Sequence, residues 1–143
     1  MNKTAAGKEG GIGMTSGLAF HVHHDKLVEW CSNYEGRQSF IIDCKPVGEQ
    51  ELRLRLFKLI PIELLPPGLD KVCAELAKAC AKWDKAKLAR ASAKRAKAYA
   101  ERAKAYAELD KALESTAPEL AELHKQLCPD CPWDGETIFA ERK

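Results

Sequence analysis

Three residues near the C-terminus have the spacing of a metal knuckle: His124, then Cys128 four residues on, then Cys131 after Pro129-Asp130. A Cys-x2-Cys turn points two thiolates the same way, and imidazole and thiolate together suit zinc. A tetrahedral ion needs one more ligand. His24 is the first choice, with Cys31, seven residues further along one helical face, or His21 or His23 as alternatives. Two readings stay open: reduced buried cysteines and surface histidines that hold no metal, or a structural zinc that staples a small domain. A redox dithiol at Cys128/Cys131 or a catalytic metal at His124, Cys128 and Cys131 is the enzymatic alternative. His21-Val22-His23-His24-Asp25 is superficially like a metallohydrolase motif, but such sites need further ligands at strand ends, and only His124 remains. No phosphate-binding loop, dinucleotide fingerprint, kinase signature or serine elbow occurs, so the chain is expected not to be an enzyme. Cys73 and Cys80 fall on an apolar helical stripe and read as small core residues.

A metal staple needs elements to hold it. The 143 residues suit one domain, 45% hydrophobic and 31% charged, which excludes disorder throughout. No run approaches the ~18 apolar residues of a membrane span, and the N-terminus lacks the apolar core of a signal peptide. Six cysteines without an export signal imply reduced thiols and a cytoplasmic setting. Residues 1–16, rich in Gly, Lys and Thr, read as a flexible leader, and 17–143 as a single helical domain.

The expected fold is all-α: short N-terminal helices packed on one long Ala-rich helix, about 69–114, followed by a short C-terminal helix and an irregular tail. The short helices are His24–Tyr34 and Arg37–Lys45. Glu49–Ile60 is ambiguous, because Leu52, Leu54 and Leu56 alternate like a strand whereas Leu52, Leu56, Leu59 and Ile60 suit a helix. Helix is preferred, since a lone strand would have no partner. From Leu69 to Glu114 there is neither Gly nor Pro, which gives ~69 Å of helix if unbroken. Thr116, Pro118 and Glu119 have the form of a capping box and first turn for the last helix.

Within the long helix, Ala96–Ala100 recurs seven residues later as Ala103–Ala107. Ala89, Ala93, Ala96, Ala100, Ala103 and Ala107 follow the heptad rhythm of a coiled-coil seam. Beside them run Leu88, Ser92, Arg95, Tyr99, Arg102, Tyr106, Leu109 and Leu113. Small side chains allow close helix approach, and the Arg/Tyr spacing permits stacking. The earlier half keeps another phase, Leu69, Cys73, Leu76, Cys80 and Trp83, with a register shift before Leu88. The expected interaction surface is therefore Ala89, Ala93, Ala96, Tyr99, Ala100, Ala103, Tyr106 and Ala107, facing a protein partner, a second copy of the chain, or the chain's own helices.

Charge supplies a second binding reading. Net charge is +2, yet residues 78–104 hold ten Lys/Arg against Asp84 and Glu101, net +8. Lys78, Lys82, Lys85, Lys87, Arg90, Lys94 and Lys97 could contact nucleic-acid phosphates, although they spread around a single straight helix.

Lys97–Glu101 and Lys104–Glu108 (both Lys-Ala-Tyr-Ala-Glu), Cys128–Gly135, His24-Asp25 and Glu49–Leu56 together resemble a group of uncharacterised prokaryotic and phage-associated repeat proteins. The likeness covers roughly residues 17–139, and Lys87–Lys94 departs from the repeat phrase. The resemblance implies a variable repeat number and a long helix acting as a rod of adjustable length. It brings no activity with it.

Overall fold

The computed structural model describes residues 15–139, so the leader, residues 1–16, falls almost wholly outside the described residues. The elements are β1 (Gly17–Phe20), β2 (Val28–Cys31), α1 (Tyr34–Cys44), α2 (Val47–Leu56), β3 (Lys58–Leu59), a 3-10 turn at Ile62–Leu64, α3 (Leu69–Ala86), α4 (Ser92–Ser115) and α5 (Ala117–Leu127). The described chain forms two compact units, one from the residues up to Pro61 together with those from Leu123 onward, the other Ile62–Glu122.

The all-α expectation is wrong for the first unit, which holds a three-stranded antiparallel sheet ordered β2-β1-β3. β1 pairs with β2 through Gly17↔Cys31 to Phe20↔Val28, and with β3 through Ala19↔Leu59 and Phe20↔Lys58. The segment expected as helix His24–Tyr34 is instead a turn and strand β2. The physical reason is in the residues: Leu18, Phe20, Val28 and Trp30 are strand formers in two short runs, and each run supplies the other's backbone partners. Leu18, Ala19 and Phe20 are all buried, as a central strand covered on both faces should be. The ambiguous stretch 49–60 divides: α2 ends at Leu56, and Lys58-Leu59 joins the free edge of β1, the partner that sequence reasoning did not supply.

α1 starts where Asn33 Oδ1 accepts from the Gly36 N–H. One cluster, Ala19, Val22, Cys31, Ile41 and Phe57, ties sheet to α1; there the Tyr34 hydroxyl donates to the Phe57 carbonyl at 3.0 Å. A second, Leu56, Cys128, Ile138 and Phe139, ties α2 to the C-terminal tail. The tail is irregular, as expected, and is folded back rather than loose: the Asp134 carboxylate accepts from the N–H groups of Glu136 and Thr137, and Ile138 N–H donates to the His24 carbonyl.

The second unit corrects the central expectation. No single helix spans 69–114; it breaks at residues 87–91 and folds back as a hairpin of α3 and α4. Trp83 meets Tyr99 edge-on at 5.6 Å, and Lys82 reaches Glu101 at 3.7 Å. Every residue from Lys87 to Ala91 is a tolerable helix former, so local propensity does not cause the break. Tertiary packing does, because a straight Ala-rich rod gains only weak i,i+4 pairs, whereas folding back removes two apolar stripes from water at ~25 cal/mol per Å2. The stripes are Leu69, Cys73, Leu76, Ala79 and Ala86 on α3, and Ala98 and Leu109 on α4, with Arg102, Ala105 and Tyr106 half-buried beside them. The phase shift before Leu88 was the trace of this turn. Arg95 caps it, donating to the Ala89 and Arg90 carbonyls that the broken helix leaves free.

The alanine stripe therefore lies outside the hairpin interface: Ala93, Ala96, Ala100, Ala103 and Ala107 are exposed and Ala89 is half-buried. Leu88, placed in the seam by the heptad, is 83% exposed, whereas Leu109 is 2% exposed. Leu109→Ala is expected to cost ~2–5 kcal/mol and Leu88→Ala less than ~0.5 kcal/mol in urea unfolding. Equal costs would contradict the hairpin. The capping box at α5 also differs, since the Thr116 hydroxyl turns back to the Ala112 carbonyl at 2.7 Å.

Candidate metal centre

The first unit brings His21, His124 and Cys131 together, with their ligand atoms all within 4.8 Å of one another. His21 Nε2 lies 3.1 Å from His124 Nε2 and 3.3 Å from Cys131 Sγ. A tetrahedral zinc with Zn–N of about 2.05 Å and Zn–S of about 2.3 Å sets those edges at about 3.3 and 3.6 Å. The two edges at His21 are therefore those of a zinc site, and the third, between His124 and Cys131, lies within 4.8 Å.

Each ligand is placed by a local device. His21 follows β1 with φ +52°, the one described non-glycine residue in the left-handed region, a conformation costing ~1–2 kcal/mol. Its backbone N–H closes the 21–27 turn on the Leu27 carbonyl, and its Nδ1 lies 3.1 Å from the Lys26 carbonyl. A carbonyl can only accept, so Nδ1 carries the proton and Nε2 presents a lone pair. Metal-ligating histidines are commonly oriented in this way. His124 sits in the last turn of α5, where its carbonyl accepts from Cys128 N–H at 2.8 Å. The chain then turns through Cys131 N–H to the Cys128 carbonyl at 3.1 Å, forming the knuckle.

The surroundings are apolar. Phe20 meets the His124 ring edge-on at 5.0 Å, and Trp133 lies 5.2 Å from the His21 ring. Burial, and then the neighbouring His124, bring His21 down from 6.5 to about 4, against the pull of the Lys26 carbonyl. Burial, and then Lys58, lower His124. Burial pushes the Cys131 thiol up to about 11; the Trp133 N–H works against that shift and adjacent Cys128 adds to it. Near neutral pH both imidazoles are thus neutral, the form that binds metal, and one lone pair on His21 faces both His124 Nε2 and the Cys131 thiol. A cation held among the three would draw the thiol to thiolate.

The same shifts set a pH dependence for chelator-stripped protein. His21 is neutral when folded and gains a proton more readily when unfolded, so its contribution is present above pH 6.5 and is lost as pH falls toward about 4. A loss of ~3 kcal/mol across that window is expected in denaturant melts. The His21 share of it should disappear in His21→Gln, which cannot titrate, leaving the contribution of His124.

Of the residues expected at the site, His124 and Cys131 belong to it and His21 is the histidine that joins them. His24 does not: its Nδ1 bonds Thr137 Oγ1 at 2.9 Å and helps latch the tail. His23 pairs with Glu29 at 2.8 Å in solvent, and Cys31 lies in the core beside Ile41 and Phe57. Cys128 is buried beside Cys131, outside the 4.8 Å triangle. Its neighbourhood includes a shallow cleft of ≈ 210 Å3 bordered by Arg55, Lys58 and Asp130.

No family model matches this sequence, and no curated protein or solved structure matches it either. Among the described residues no helix is long and apolar enough to cross a membrane.

Proposed function

We propose that the chain is a non-catalytic binding module in which a structural zinc staples the first unit and the α3/α4 hairpin serves as the interaction arm. The observation that carries the staple is the pair of facing imidazole nitrogens, 3.1 Å apart, with Cys131 Sγ at 3.3 Å. Two imidazoles and a thiolate favour zinc over the harder divalent ions, and Cys128, buried next to Cys131, is the fourth ligand of this reading. The ion would join two segments distant in sequence: the β1–β2 turn, and the end of α5 with the knuckle that follows it. With Cys128 drawn in, the four protein ligands would close the coordination shell beside Phe20 and Trp133 and leave no position for substrate, the pattern of a structural site.

The arm is supported by what the hairpin leaves uncovered. Tyr99 is 56% exposed, and the alanine face of α4 lies in water. Adding a strong chelator is expected to lower the melting midpoint and remove a large part of the near-ultraviolet signal of Trp133. Zinc should restore both, and magnesium should restore neither. Chelation without effect on either signal would contradict the staple.

A further inference from the structure

We infer that the tip of the α3/α4 hairpin binds the phosphodiester backbone of a single-stranded nucleic acid in a lysine-walled cleft between the two helices. This rests on the reading of the hairpin as an interaction arm and names its partner; the zinc staple is a separate matter.

On a straight helix the basic residues of 78–104 point in all directions. The fold-back changes that. The last turns of α3 and the first turns of α4 lie antiparallel, and Lys82, Lys85, Lys94 and Lys97 come to border one cleft of ≈ 360 Å3 floored by Ala86 and Ala98. Glu101 is the single carboxylate in it, and it pairs with Lys82 at 3.7 Å. Lys85, Lys94 and Lys97 are exposed and have no carboxylate partner among the described residues. Three like charges converging on an alanine floor repel one another and are stabilised by an anion that runs along the cleft.

The start of α4 supplies an independent observation. Its N-cap is Ala91, which offers no side-chain acceptor, and its first turn carries no acidic residue. Instead Lys94 and Arg95 stand at the positive end of the helix dipole, the unfavourable arrangement. Nothing described in the chain compensates the lysine, whereas Arg95 is taken up by the turn carbonyls. A phosphate at the tip answers both the uncapped N–H groups and the misplaced charge. A concave cleft suits a flexible single strand, whose phosphates can follow its floor; a duplex offers phosphates on a convex cylinder, and a membrane offers a plane.

The test uses full-length, zinc-loaded protein with a short fluorescein-labelled oligouridylate or oligothymidylate, read by anisotropy. Four phosphate contacts give a log–log salt slope of about −3, hence roughly 50-fold weaker binding between about 50 and about 200 mM NaCl. The triple variant Lys85→Ala, Lys94→Ala, Lys97→Ala should lose most of the affinity and bring the slope near −1. Alanine at exposed helical positions keeps the hairpin folded, which circular dichroism checks. The control triple Lys71→Ala, Lys111→Ala, Lys125→Ala changes net charge equally and should stay within about twofold of the unmodified protein. Absence of binding at low salt, equal losses in the two triples, or tighter binding to duplex or to phosphatidylserine vesicles than to single strands would overturn the inference. Zinc content measured on the same samples keeps a failure of the staple distinct from a failure of the cleft.

Discussion

His21→Ala is expected to weaken zinc binding by more than ~100-fold, whereas His24→Ala leaves it unchanged. The two residues are three apart and share a turn, so a nonspecific disturbance would affect them alike. What separates them is orientation. His21 Nδ1 is engaged by the Lys26 carbonyl, which leaves Nε2 facing His124 and Cys131, whereas His24 spends its Nδ1 on the Thr137 hydroxyl. A hundredfold in affinity corresponds to ~2.8 kcal/mol, and at saturating metal that difference appears as stability of the folded state. The His24 variant should lose only the tail latch, ~1 kcal/mol. His21→Gly adds a discriminating case. It also removes the ligand but relieves the positive φ of +52°, so without metal it should be more stable than His21→Ala by ~1 kcal/mol. Competition with a chromogenic chelator measures the affinities, and thermal melts with and without zinc measure the rest. Zinc retained by His21→Ala and lost by His24→Ala would reverse the ligand assignment.

The second large effect belongs to Phe20. Its ring is 1% exposed, it lies in the central strand, and it packs edge-on against His124. Phe20→Ala leaves a cavity where β1 meets the end of α5 and is expected to destabilise by ~3–5 kcal/mol. It should also loosen His124, lowering zinc affinity by roughly tenfold, since the wall that orients the ring is gone. Phe20→Leu keeps most of the volume and should cost less than ~1.5 kcal/mol with little change in metal binding. A loss under ~1 kcal/mol for Phe20→Ala would show that β1 is not the core strand described above.

The knuckle was legible in sequence because its signal is local: His124, Cys128 and Cys131 follow one another within a helix end and a turn. The missing histidine was not, because its choice depends on the conformation of residues 17–31. Taken as a helix, that segment puts His24 and Cys31 on one face; as strand, turn and strand it sends His21 inward and the Cys31 thiol into the core with Ile41 and Phe57. Leu18, Phe20, Val28 and Trp30, alternating with smaller or polar residues in two short runs, were the available clue. β3 was hidden for a different reason: its two residues have no pattern of their own and are strand only because β1 has a free edge. The hairpin turn left a trace in the phase shift between Trp83 and Leu88, but helix-forming residues across 87–91 masked it. Arg102 shows how far local reasoning reached. It stacks on Tyr99 at 5.6 Å, as the spacing allowed, and on Trp83 of the other helix at 4.8 Å, which the spacing could not show.

The most direct measurement is the metal content of protein purified without added metal or chelator, by elemental analysis, combined with zinc-edge X-ray absorption of the same sample. The expected result is one zinc per chain with a mixed nitrogen and sulfur shell at about 2.0 and 2.3 Å. Protein that holds no metal, and that takes up none when zinc is supplied in excess, would contradict a staple built on His21, His124 and Cys131.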